Sequence, residues 1–242
     1  MAGTNWRSVS EELTGVLHLA TPPIGIAFSA DRPAGVAAFD APMSEPADDG
    51  RAGRVAAGCV FWMRAGDATF STVAEDHGNC SVGRLTHGFA SLEDVANNDD
   101  VAALVGSDWV SPAAVAQIPV ITERPGAVTY GPLADTPDNV DPDVVLLRVN
   151  ARQLMVLSDA MPGLRIEGKP QCHIVALAKE QKTPAASVGC ALSRARTGMT
   201  PDEMTCAIPA GDLPDLATTI SATAETDAVV ARYAAQDARR FA

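Results

Sequence analysis

The sequence predicts an α+β fold, a mixed α/β chain of two pseudo-equivalent halves packed as one compact unit. Three observations carry that expectation. Short apolar runs of strand length alternate with stretches of helical period along the chain. Two strings repeat: Cys80-Ser81-Val82-Gly83-Arg84 leads on to Gly88-Phe89, and Cys190-Ala191-Leu192-Ser193-Arg194 leads on to Gly198-Met199. Each string also has a cysteine well upstream of it, Cys59 for the first and Cys172 for the second. An internal duplication accounts for all three, with residues 1–15 starting an N-terminal helix, residues 16–134 forming one half and residues 140–240 the other.

The elements follow in order. Residues 8–20 read as a helix, opened by a capping box of Ser8 and Glu11 and ended by Thr21-Pro22-Pro23. Ile24–Phe28 is a buried strand, and the Ala-, Pro-, Asp- and Gly-rich residues 30–53 are a mobile surface excursion. Cys59–Ala65 is a short apolar helix with a basic end, Ala68–Val73 a strand, and Asp76-His77-Gly78-Asn79 a turn into Cys80. Ser91 and Asp94 cap one short helix, Asp99–Val105 forms another, and Val128–Tyr130 closes the half as a strand. The same order then recurs. Asp143–Val149 is a continuous apolar strand, Ala151–Ala160 a helix stopped at Met161-Pro162-Gly163, and Cys172–Lys179 a second apolar helix with a basic end. Ala185–Val188 is a strand into Cys190, Met204–Ile208 a strand after it, and Asp212 to Phe241 a long Ala-rich helix.

Composition narrows the function. With 242 residues the chain is long enough for one substantial core. Its formal net charge of −12 argues against a phosphate-backbone partner, which needs clustered Lys and Arg. The same acidity argues against docking on anionic lipid. No apolar run approaches the ~20 residues that span a bilayer, and Glu11 and Glu12 break the layout of a signal peptide. A cytoplasmic protein with reduced thiols is expected. Five widely spaced cysteines fit metal binding or burial better than a disulfide framework.

The chemistry expected of the repeated string follows from its spacing. A cysteine at the head of a helix has its thiolate stabilised by unpaired backbone N–H groups. An arginine one turn later lies on the same face, where its fixed charge favours the thiolate or holds an anion. The glycine beyond suits a left-handed helix stop. Cys59, Cys80, Cys172 and Cys190 are therefore the candidate ligands of a metal or cluster, with His77, Arg84 and Arg194 as candidate catalytic residues. A [4Fe-4S] cluster is the first expectation, since its thiolates come from distant segments. Zinc is the runner-up, weakened by the lack of a close cysteine pair, with His77 or His173 as auxiliary ligands. A redox dithiol and a metal-free module with merely buried cysteines stay open. Asp76 and His87 flank the first string. Arg148, Arg165 and Lys169 are weaker anion-binding candidates, and Trp6, Trp62 and Trp109 read as core or lobe-interface residues. Cys206, outside both pairs, reads as a buried thiol.

Cys59-Val60-Phe61-Trp62, His77-Gly78-Asn79-Cys80, Pro142-Asp143-Val144-Val145, Gln171-Cys172-His173 and Ser187-Val188-Gly189-Cys190-Ala191-Leu192-Ser193-Arg194 occur in an order that resembles the uncharacterised ArCR family, domain of unknown function 169. The resemblance runs from about Leu13 to Leu213. It rests on the four cysteines and Arg194, implies that the four cysteines act as a set, and leaves the chemistry open. Leu192 or Ser193 stands where the family pattern often has a second glycine.

The expected function is thus that of a cysteine-ligated iron–sulfur protein. An enzyme with three ligands and one open iron would act as a Lewis acid on a small substrate, anionic if the arginines serve it, in a hydrolytic, eliminating or desulfurising reaction. Four ligands would instead suit electron transfer or a structural role. Nucleic acid and membrane are not expected partners, whereas a homodimer is admissible.

Overall fold

Seven strands carry the architecture of the computed structural model, which describes residues 4–40, 58–78, 80–197 and 199–241. In chain order they are β1 (Ile24–Ser29), β2 (Phe70–Thr72), β3 (Ala127–Pro132), β4 (Val144–Val149), β5 (Arg165–Glu167), β6 (Ala185–Ser187) and β7 (Met204–Pro209). They form one mixed sheet in the order β2-β3-β1-β4-β7-β6-β5, antiparallel throughout except for the parallel β5–β6 pair.

The helices are α1 (Trp6–Leu17), α2 (Gly58–Arg64), α3 (Ser81–Thr86), α4 (Leu92–Val95), α5 (Asp99–Gly106), α6 (Pro112–Ala116), α7 (Ala151–Ala160), α8 (His173–Glu180), α9 (Ala191–Thr197) and α10 (Leu213–Ala238). None is long and apolar enough to cross a membrane. They cover the sheet on both faces, which is why the central strands read as continuous apolar runs. Alternation along β4 divides the two cores. Val145, Leu147 and Val149 pack with α1, α7 and α10, while Val144 and Leu146 point to the other side, among residues of α2 and α8.

The centre of the sheet is the short antiparallel pairing of β1 with β4, with Gly25 opposite Val145. Outward from it the order runs β3, β2 on one side and β7, β6 on the other, with β5 added beyond β6. Ile24 lies opposite Pro132, and Val144 lies opposite Pro209. Each proline leads into a 3-10 turn that ends in an aspartate, Asp135 or Asp212. The likeness is one of topology.

Most expected elements are present within a residue or two. Three differ in an informative way. The cap of α1 is Asn5, whose side chain accepts the Ser8 N–H at 3.1 Å, in place of the expected Ser8 and Glu11 box. The helix starts earlier because Trp6 packs on the core. Helix α6 was not anticipated, although Ser111 caps it and Pro112 opens it. Strand β5 was not anticipated either, since it is polar and lies at the sheet edge with Ile166 exposed. Most of the excursion expected at 30–53, from residue 41 onward, lies outside the described residues, as does Gly198.

Candidate thiolate site

The four paired cysteines meet on the face of the sheet covered by α2, α3 and α8. Cys80 is the N-cap of α3, in extended conformation, and its sulfur accepts the Gly83 N–H at 3.4 Å. Cys190 precedes α9, and its sulfur accepts the Ser193 N–H at 3.3 Å. Cys59 lies in the first turn of α2, and Cys172 immediately precedes α8. The two halves interlock here. Helix α2 of the first half packs on α9 of the second, and α8 of the second packs on α3 of the first.

Local contacts order the segments around Cys80, Cys172 and Cys190. Ser81 donates its N–H and its hydroxyl to Asp100, at 2.9 and 2.7 Å, which fixes the start of α3 beside Cys80. Lys179, near the far end of α8, donates to Asp143 at 2.9 Å, and Asp143 also accepts the Phe28 N–H at 2.8 Å. This half-buried ion pair ties the helix that follows Cys172 to the middle of the sheet. Gly189, before Cys190, has a left-handed φ of +92°, and a Cβ there would stand 3.2 Å from the Arg194 guanidinium. Gly88 ends α3 at a φ of +77°, where a Cβ would approach the Ile121 carbonyl to 2.8 Å.

Cys59, Cys80, Cys172 and Cys190 line one cavity, walled otherwise by apolar groups such as Leu104, Trp109 and Leu192. The enclosed space is small, about 30 Å³, on the order of one or two water molecules. Cys172 is the most buried of the four. Its pKa is raised well above the ordinary thiol value, chiefly by burial. Cys80, Cys59 and Cys190 push in the same direction, against the Thr86 hydroxyl. The thiols thus lie close enough for each to oppose ionisation of Cys172. Among the described residues, no three His, Cys, Asp or Glu side chains converge as a single-ion site requires.

The expected catalytic residues are placed differently. His77 is fully buried, in the 3-10 turn Ala74–His77, and its Nε2 lies 3.0 Å from the Thr72 hydroxyl. Phe61 and Phe89 stack about it, with ring centroids at 4.7 Å each. Burial lowers its pKa well below the usual value, and the charges of His87 and Arg84 add to the fall. His87 is also fully buried. Its Nδ1 contacts the Gly83 carbonyl at 2.9 Å, and burial lowers its pKa to about 4. Both imidazoles are therefore neutral near pH 7.

Neither Arg84 nor Arg194 lines the cavity. Arg194 donates to the carbonyls of Val188 at 2.9 Å, Glu203 at 2.8 Å and Thr200, so its guanidinium staples the backbone around Cys190. Arg84 is half-buried, and its charge is felt by His77 and Asp94. The weaker cation candidates are also engaged. Arg148 pairs with Glu203, Arg165 pairs with Glu167, and Lys169 Nζ sits 4.1 Å from the centre of the Trp109 ring. His173 faces Glu167 at 3.3 Å. Trp62 is buried in the core on this face. Cys206 is fully buried on the opposite face, with its pKa raised to about 12 by burial alone.

Trp109, read as core or lobe interface, lines the cavity, and Gln171 was read only as part of a family string. Gln171 is 2 % exposed, and its Oε1 has no hydrogen-bond partner. The only signal for it in the sequence is that it precedes Cys172.

No curated protein and no solved structure matches the chain. A family profile does match, over residues 12–219, a span that includes all four cysteines of the cavity and both Cys/Arg/Gly strings. The chain belongs to the uncharacterised ArCR family, domain of unknown function 169.

Proposed function

We propose that the protein binds an iron–sulfur cluster, best read as [4Fe-4S], through Cys59, Cys80, Cys172 and Cys190. The observation that carries this reading is the gathering of four thiols, from segments far apart in sequence, around one cavity between the halves. Neutral thiols behave as small hydrophobes and gain nothing from being grouped. Thiolates in the same place repel one another unless a cation compensates them. A cluster supplies that compensation and spreads its thiolates over separate irons. Zinc is the weaker reading because the four cysteines include no close pair in sequence. The Gly83 and Ser193 N–H groups that reach Cys80 and Cys190 are the kind of hydrogen bond that tunes such a centre.

Bound with three cysteine ligands, the cluster would offer an open iron as Lewis acid to a small substrate, in a hydrolytic, eliminating or desulfurising reaction. Around it, the chain's own residues exclude water with apolar walls and keep His77 and His87 uncharged behind the site. Bound with four, it would serve electron transfer or hold the halves together. Anaerobically purified protein is expected to be brown and to contain iron and acid-labile sulfide. Colourless protein that stays free of both after reconstitution sinks the proposal, and stoichiometric zinc promotes the runner-up. Four single Cys→Ser variants decide the ligand number: one variant that keeps its cluster marks three ligands, and loss in all four marks a closed site.

A further inference from the structure

We infer that the protein forms a homodimer through the outward face of the C-terminal half of α10, packed antiparallel on the same face of a second copy. The inference is independent of the cluster reading, because α10 covers the face of the sheet opposite the thiols. Three observations carry it.

The first is where the helix has a partner and where it has none. Leu213, Ala217 and Ile220 are buried at three- and four-residue spacing and seat the first half of α10 on the core. Asp227 continues that inner side and pairs with Arg152 of α7 at 3.2 Å. Val229, Val230 and Tyr233, by contrast, are 56, 59 and 69 % exposed. At 3.6 residues per turn, Val229 and Tyr233 lie about half a turn away from the buried stripe. Single exposed apolar residues are ordinary, but these three meet within little more than one turn and form a patch.

The second observation is the choice of residues. A helix surface that meets only water is best filled by Ala, Glu, Lys or Arg, whereas adjacent β-branched valines lose side-chain freedom in a helix. Two valines and a tyrosine on the outer face are unfavourable there unless burial against a partner offsets them.

The third observation is charge, and it selects the partner. Glu225 and Arg232 stand seven residues apart, about two turns, and so share one flank of this face. Both are exposed, and neither has an ion-pair partner among the described residues. In an antiparallel pair about a two-fold axis between Val229 and Val230, equivalent flanks meet. Glu225 of each copy then comes within reach of Arg232 of the other, giving two cross pairs. A parallel pair would set Glu225 on Glu225 and Arg232 on Arg232. From Glu225 to Ala238 the helix runs about 20 Å at 1.5 Å per residue. Two such segments bury on the order of 1,000 Å² in total, at the low end for a specific interface, so the dimer is concentration-dependent.

The test is sedimentation velocity on the full chain. Between about 1 and about 100 μM the native protein is expected to pass from monomer to dimer. Val229→Lys and Tyr233→Glu should each raise the dissociation constant by at least about 10-fold. Glu225→Arg or Arg232→Glu alone should weaken the dimer, and the double variant should restore it. Circular dichroism checks that each variant is folded, and either patch variant suffices if the other is not. Three results overturn the inference. A native protein that stays monomeric throughout has no such dimer, even if the face binds some other protein. A dimer unchanged in both patch variants uses another surface. A double charge variant no tighter than the singles removes the antiparallel arrangement.

Discussion

The two faces of the sheet each bury a thiol, and they bury it in different company. On the face of α1, α7 and α10, Cys206 is packed among Val, Leu and Ile, and only burial acts on its ionisation. On the other face, Cys172 is nearly as buried, but three further thiols act on it, and Gln171 stands beside it. Burial alone therefore does not separate a packing cysteine from one gathered with other thiols. Neighbours do. The first face is packed with apolar side chains. The second leaves Trp62 Nε1, His77 Nδ1, His87 Nε2 and Gln171 Oε1 buried without hydrogen-bond partners.

The contrast can be broken from either side. The largest effect is expected on the dry face, where Leu157→Ala opens a hole in the core and costs about 2–5 kcal/mol, read from the denaturant midpoint. Under the proposed cluster reading, the iron content of the folded variant should not change. Loss of the metal from that variant would mean that the faces are not independent.

The polar face should make stability depend on pH. His87 is held at about 4 by burial, against an ordinary value of 6.5, so the unfolded chain takes up the proton first. Its contribution is present above about pH 6.5 and is lost as pH falls toward about 4, a change of about 3 kcal/mol. His77 shifts in the same direction and adds to the loss. His87→Leu should flatten this acid limb in urea titrations across that range. An unchanged slope would place the acid sensitivity elsewhere.

A smaller effect, about 1–3 kcal/mol, is expected for Gly189→Ala, which forces a side chain into left-handed backbone and against Arg194. The same variant should let Cys190 react faster with a thiol reagent in the metal-free protein. The smallest effect belongs to Cys206→Val. It conserves volume, should cost less than about 1.5 kcal/mol, and should leave the metal content intact. A Cys206 variant without metal would overturn the distinction between the two thiols.

Much of this was legible in the chain. β1, β4 and β7 were visible as apolar runs because strands covered on both faces lose their polar alternation. The four cysteines were visible as a set through their repeated spacing, and Gly88 through its place after the helix. What escaped reading depends on contacts between distant segments. Whether Arg194 faces a ligand or a loop is decided by the carbonyls of Val188, Thr200 and Glu203, which no helical period reports. His77 sits in a polar turn by sequence, yet Phe61 and Phe89 close over it from elsewhere. Gln171 carries no periodic signal at all. Polar β5 has no apolar pattern to announce it and is a strand only because β6 pairs with it.

The crosswise contacts of α2 with α9 and α3 with α8 also set an order of events during synthesis. Cys59 and Cys80 leave the ribosome while Cys172 and Cys190 are still unmade, so no early stage of translation holds the whole ligand set. A cofactor delivered to the nascent first half would find two of its four sulfurs. If the proposed cluster is bound, its delivery would follow the meeting of these segments, and until then the thiols would stand open to oxidation and to stray metals. On that reading, cells making this protein under iron limitation or in air should accumulate a folded, unfilled form that remains competent for loading afterwards.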